Sequence, residues 1–449
     1  MKEMASQILK QQENSYQGAF QSLEETAGQT PNWLARLRES AMDRFEQLGF
    51  PSVKEEEWKY TNVAPISRVN FEPVVGPREA RSFDAAEIAN LSYPETEATT
   101  LIFRNGILTL NQELNLPEGV VAIDLAEAIV DDRYGEVVRE HLARNADYNA
   151  NGFTALNTAL FSSGAFIFIP RDLVIESPLH LLFISDTLNA KPASFPRVLI
   201  VAEANSRATL LESYAGLGDA TYFTNAVLEI VLKEGARLEH YKIQRESGEA
   251  FHVATTSAAL GSRSSYDTTT INFGGQLSRH DIQVRMNHEG AECWVDGLYM
   301  VGASQHTDTH SVIDHQQPHC SSHQLYKGIL DGKSRAVFNG KIFVRHGAQK
   351  TDAMQTNKNL LLSDEARIDT KPQLEILADD VKCAHGAAVG QIDENELFYL
   401  ETRGIHPDLA KNLLTYGFAE EVIDKIKIQS IKKQLDEAVL NRINARLEV

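Results

Sequence analysis

Cysteine is scarce. Cys293, Cys320 and Cys383 are the only three in 449 residues, an odd number too small for a disulfide framework. They are also too few to build a four-thiolate metal site from this chain alone, so any such site needs histidine, carboxylate or a partner's cysteine. No run of 18 apolar residues occurs, which excludes an obvious membrane-spanning helix. The opening MKEMASQILKQQEN has neither the basic region nor the apolar core of a secretory signal, so the expected setting is soluble and cytoplasmic. Positive charge is in deficit: 43 Lys and Arg against 62 Asp and Glu leave a net charge of −19. That field opposes phosphate backbones and anionic lipid, so neither nucleic acid nor membrane is an expected partner. Phosphate-cradling loops are missing too, because Gly216-Leu217-Gly218 and Gly274-Gly275 lie outside any GxGxxG or P-loop context and read as turns. No set of nucleophile, base and oxyanion donors stands out, and the chain reads as non-enzymatic.

Hydrophobic residues make up 43% of the chain, enough for a large core, and the length suggests two or three units. Residues 31–48 carry a helical stripe of Trp33, Leu34, Leu37, Ala41, Phe45 and Leu48. Thr30 can cap it, Pro31 suits the first turn, and Gly49 and Pro51 stop it. Residues 1–100 therefore form a helix-containing N-terminal region, bounded by the strand-like Thr100-Leu-Ile-Phe and Ala122-Ile-Asp. From 101 to 395 the texture is β-rich, with AFIFIP (165–170), LHLLFI (179–184), RVLIVA (197–202), AVLEIVL (226–232) and LEHYKIQ (238–244). Small-basic turns recur, and the steps from Arg207 to Arg237 to Arg263 are 30 and 26 residues. That is about one coil of a parallel β-solenoid, although a sandwich or barrel stays open on pattern alone.

The C-terminal helical region is placed at 396–449, and after Gly404 the helical period returns. Pro407 opens LAKNLLTY and Gly417 ends it, and a second run carries Val422, Ile423, Ile426, Ile431, Leu435, Val439, Ile443 and Leu447. Such a stripe must be covered, either by this chain's own core or by a partner.

Chemistry concentrates in DDVKCAHGAAVGQIDENELFYLETRGI (379–405). In an extended chain residues two apart share a face, so Cys383 and His385 can converge on one ion, and both are ligands that iron accepts. A buried cysteine beside an ordinary strand histidine gives the same spacing. Five histidines crowd His306 to His323, and His306, Asp308 and His310 imitate the two-histidine, one-carboxylate set of non-haem iron oxygenases. In a β-solenoid the same row also serves as a hydrogen-bonded ladder. Glu55, Glu56 and Glu57 before Trp58 read as a solvated helix start.

Four blocks carry a family likeness: EEEWKYTNVAPI (55–66), SSHQLYKGILDGKSRAVFNGKIFVR (321–345), KTDAMQTNKNLLLSDEARIDTKPQLEI (350–376) and the Cys383 segment. Together they resemble the SufB/SufD family of iron–sulfur cluster assembly proteins. The SufB type has a cysteine where Asn357 aligns and lacks the Cys-x-His-Gly run, so Asn357 and Cys383 to Gly386 point to the D type. The resemblance implies a mainly β fold, a right-handed parallel β-helix flanked by helical ends. It implies a scaffold subunit of the SUF complex that pairs edge to edge with SufB and binds the ATPase SufC through its C-terminal helices. The stripe of Val422, Ile423, Ile426 and Ile431 would then serve partly as that docking face. It further implies His385, and more weakly Cys383, as metal ligands at the SufB contact, with a transient iron or Fe–S cluster shared with SufB. The isolated chain would hold no cluster stably and could be a homodimer. Two readings from other classes remain, a β-helix carbohydrate lyase or hydrolase and a mononuclear iron oxygenase built on His306, Asp308 and His310.

Overall fold

From Arg197 onward, successive strands drop alternately into two parallel sheets. This computed structural model describes residues 15–25, 30–76, 83, 85–109, 114–187 and 190–442. The first sheet has 11 strands and ends on Arg367–Ile376, and the second has 10 and ends on Lys382–Gly390. The fold is a parallel β-solenoid with helices at both ends, as expected. Alternate residues point inward, so Leu228, Ile230, Ile282 and Val284 from one sheet meet Leu210, Val295 and Tyr299 from the other in a continuous apolar lumen. Two tyrosines interlock there with two glycines one coil away. A Cβ on Gly297 would lie 2.2 Å from the Tyr326 ring, and one on Gly328 would lie 2.1 Å from the ring of Tyr299.

One corner sets the true repeat. Asn205, Gly235, Arg263, Gly290, His319 and Lys350 all adopt positive φ, between 54° and 72°, giving steps of 30, 28, 27, 29 and 31 residues. Each N–H donates to the carbonyl just before the next member of the column, as from Asn205 to Glu234, Gly235 to Ser262 and Arg263 to Glu289. Of the three arginines that suggested a repeat, only Arg263 stands in this column. Arg207 and Arg237 open strands and pair in register with each other and with Ser265.

The N-terminal helix runs Asn32–Leu48. Its N-cap is Pro31 with no side-chain cap bond, so Thr30 does not play the expected part, while the Gly49 N–H closes the C-terminus on Phe45. Three further helices, Leu125–Val130, Gly135–His141 and Gly152–Leu160, lie within the span that looked purely β-rich. Every residue of Gly152–Leu160 is buried. At nine residues it is shorter than the window over which a helical period stands out.

At the other end, helices Glu394–Thr402, Pro407–Ile423 and Gln429–Arg442 follow the solenoid. Gly417 does not end the first long one, which passes through it. The cost of about 1 kcal/mol for a helical glycine is outweighed by the packing of Ala419, Val422 and Ile423 beyond it. Those residues, with Ile426, Ile431, Leu435 and Val439, are buried against Leu211, Tyr241, Ile243, Leu298 and Ile329 on the outer face of the second sheet. This overturns the docking reading of the stripe, because a side chain sealed against its own solenoid cannot meet a partner. Ile443 and Leu447 lie outside the described residues, as does the opening segment 1–14.

Ion pairs pin the same helices. Lys425 reaches Asp296 at 2.6 Å, Lys427 pairs with Glu239, and Lys327 pairs with Glu421. Asp267 neighbours Glu239 in register, so two lysines serve three carboxylates. Burial, and then Asp296 and Glu239, push its carboxyl up to about 6. A carboxyl raised above its unfolded value of about 3.9 favours the folded state at low pH, and that contribution is lost as pH rises through about 6. Asp267→Asn is therefore expected to raise the melting temperature at pH 8 and to change it little at about pH 3.5, below the unfolded value. An equal shift at both would show that the carboxyl is not strained by its neighbours.

Candidate functional site

Strand Lys382–Gly390 bonds to Asp352–Leu361 on one side, with Ala353, Gln355 and Asn357 in register with Cys383, His385 and Ala387. It is the last strand of its sheet, just as Arg367–Ile376 is the last of the other. Ala353, Gln355 and Asn357 are buried in the lumen, so their register partners Cys383 and His385 share that face, as the two-residue spacing requires. No further coil covers them. His385, Ala387 and Val389 are exposed, and Cys383 is half-buried. The facing wall is Arg367–Ile376, whose Thr370 hydroxyl donates to Asn357 Oδ1 at 2.8 Å across the lumen.

The two candidate ligands differ in setting. Cys383 packs against the cluster of Ile342, Val344, Ala348 and Ala353, and burial followed by the nearby Asp352 carboxylate raises its thiol pKa. At neutral pH it is a protonated thiol, able to bind a metal only by losing its proton. His385 is an open imidazole. Among the described residues no group of three or more His, Cys, Asp or Glu side chains is placed to hold a metal. The terminal coil thus offers two donors on one face, half of a site. Asn357 adds nothing to it, because its amide is consumed by Asn359, Thr370 and the Tyr326 carbonyl.

His306, Asp308 and His310 do lie together on the outer face of the first sheet, but a guanidinium already occupies the position. Arg279 donates to Asp308 at 2.8 Å, to both oxygens of Asp281, and to the Glu57 carbonyl at 2.7 Å. Its charge stacks 3.7 Å from the centre of the Trp58 ring. Burial alone would lower His310, but Asp308 at 3.1 Å and Glu57 at 3.4 Å outweigh it and push the imidazole up to about 9. A protonated imidazole beside a buried guanidinium repels a dication, which removes the oxygenase reading. The run Glu55 to Glu57 is exposed and opens a helix, as expected. Glu56–Trp58 forms one short helical turn that clamps the N-terminal region to the sheet, with Glu56 reaching Lys371 at 2.7 Å in the last coil.

One surface went unread in the sequence. Helix Glu394–Thr402 buries none of its residues, and it exposes 66% of Phe398 and 57% of Tyr399, beside Leu413 at 44% on the next helix. Adjacent exposed aromatics on a monomer mark contact sites, and the run LFYLET was the available signal.

Two family models cover most of the chain. One, described as SUF system FeS cluster assembly, SufBD core domain, matches residues 183–418, and another, SufBD protein N-terminal region, matches residues 10–181. The chain belongs to the SufBD family. It is 36% identical to an iron-sulfur cluster assembly SufBD family protein of Synechocystis sp. over 433 residues, 94% of each chain. It is 32% identical to the iron-sulfur cluster assembly protein SufD of Escherichia coli, over 91% of this chain and 92% of that one. With SufD of Bacillus subtilis the figures are 29%, 92% and 95%. A SufBD family protein of this kind takes part in iron–sulfur cluster assembly, and the lyase reading falls with that membership. No helix among the described residues is long and apolar enough to cross a membrane.

Proposed function

We propose that this chain is a D-type scaffold subunit that pairs with SufB through its terminal coil and carries SufC on the exposed face of its C-terminal helices. It is not itself an enzyme. The observation that carries the reading is the uncovered end of the solenoid, where two sheet edges stop side by side with His385 on the face that another coil would cover. Unpaired edges are templates for strand addition. A second solenoid docked there would continue both ladders, cover Val389, and enclose His385 and Cys383 with donors of its own. Iron or a nascent cluster is then cargo shared across the junction. His385 is the principal ligand on this side, and Cys383 is a lesser one because binding must first strip its proton. SufC, the ATPase, would engage Phe398, Tyr399 and Leu413 rather than the buried stripe, and its cycle would open and close the junction by differential binding of its two states.

Anaerobic incubation of the isolated chain with iron and sulfide tests the shared site. Little visible absorbance is expected from the chain alone, and cluster absorbance is expected when SufB is present. A stoichiometric cluster on the chain by itself would sink the proposal.

A further inference from the structure

The residue beneath His385 in the stack is Gln355, its register partner in the penultimate strand. Gln355 is only 1% exposed, although it stands one coil from the open end, so the last coil closes over it. Its amide is held from behind by a relay. Gln355 Nε2 donates to Gln324 Oε1 at 2.8 Å, and Gln324 Nε2 donates to the Ser311 hydroxyl, also at 2.8 Å. Across the lumen Gly340 leaves room for this arrangement, since a Cβ there would sit 2.4 Å from Gln355 Nε2. The relay runs from Gln355 to the coil before and from Gln324 across the lumen to Ser311, whose hydroxyl also lies 3.2 Å from Gln324 Oε1. It ends on Gln355 Oε1, which is buried and has no hydrogen-bond partner among the described residues. An orphaned buried carbonyl costs about 1–3 kcal/mol, so a donor is wanted at this point. Asn357, two residues on, has no such vacancy because its carbonyl already accepts from Asn359 and Thr370.

We infer that Gln355 is the positioning residue for His385: its Oε1 accepts the imidazole N–H, fixes the tautomer, and turns the other ring nitrogen, with its lone pair, outward to the cargo. Ligating histidines characteristically give their second nitrogen to such an acceptor, and removal of that acceptor typically weakens metal binding or activity about 10–100-fold. The inference deepens the proposed role of His385 and rests on it. The residues suit the task. A neutral amide accepts the proton-bearing nitrogen without adding charge beneath the site, and burial keeps water from competing for the bond.

The test is the imidazole itself. In the full chain labelled with ¹⁵N histidine, long-range ¹⁵N–¹H correlation reports the tautomer of each ring, and the His385 signals are those lost in His385→Ala. Wild type is expected to hold His385 in one neutral tautomer, and Gln355→Leu to release it into a mixture. Gln355→Glu is expected to restore a single form, because a carboxylate still accepts and the Gln324 amide can turn to donate to it. If leucine lowers the melting temperature appreciably, Gln355→Asn withdraws the same oxygen by one methylene and should give the same mixture. An unchanged tautomer in both Gln355→Leu and Gln355→Asn overturns the inference. Maturation of client proteins in a strain dependent on this pathway separates the two layers. Loss of the tautomer with a harmless His385→Ala would leave the positioning intact and remove the ligand role. A damaging His385→Ala with an indifferent tautomer would do the reverse.

Discussion

His385→Ala is expected to leave folding and SufB pairing intact while reducing cluster delivery by about 100-fold, the upper end of what loss of even a supporting group costs a metal site. The side chain is exposed at the end of the solenoid, and truncating such a residue typically changes stability by less than about 0.5 kcal/mol. Melting temperature and SufB capture should therefore match wild type, while client maturation fails in a strain that depends on this pathway. Cys383→Ser is expected to be milder. Its thiol is half-buried and held protonated, and its contacts with Ile342 and Val344 are mostly packing, which a hydroxyl only slightly disturbs. Normal maturation with His385→Ala would reject the central site assignment, whatever the behaviour of Cys383.

The shared face of Cys383 and His385 was legible because the period of a strand is fixed at two whatever surrounds it. The identity of that face was not. Only the register with buried Gln355 and Asn357 shows that it is the lumen, laid open by the end of the chain's β region. His306, Asp308 and His310 show the complementary limit. Their spacing placed them together correctly, but the group that decides their chemistry, Arg279, is 29 residues earlier and arrives through the pairing of Arg279 with Asp308. A linear motif cannot contain its neighbour from the next coil. The solenoid repeat was visible for the same reason that it was misplaced. Corners must recur once per coil, yet the column is defined by positive φ, and residues as different as Asn205, Arg263 and Lys350 satisfy it. Helix Gly152–Leu160 was invisible because its nine residues fall short of the window over which a helical period stands out.

The C-terminal stripe poses the harder question, since periodicity says that an apolar face is covered and is silent on what covers it. Ile426→Asp now has a definite expectation. Ile426 is 1% exposed, between Lys425 and Lys427, whose charges are already paired with Asp296 and Glu239. Burying a carboxylate there forfeits about 1.5–3 kcal/mol of apolar transfer. It also leaves a charge that must be neutralised or hydrated at a cost of several kcal/mol more. The helices should detach from the second sheet as a unit, giving an early thermal transition and proteolytic release of the region after Gly404, and SufC capture should fail as a consequence. Phe398→Asp is the contrasting substitution. That ring is two-thirds exposed, so the charge meets water and the melting curve stays near wild type, while SufC capture falls if Phe398 is part of the contact. Both should keep SufB pairing, which the reading assigns to the solenoid end rather than to the helices. An unchanged melting curve for Ile426→Asp, together with selective loss of SufC, would return the stripe to the role of docking face. SufC capture at wild-type affinity by Phe398→Asp and by Tyr399→Asp would remove the exposed aromatics from it.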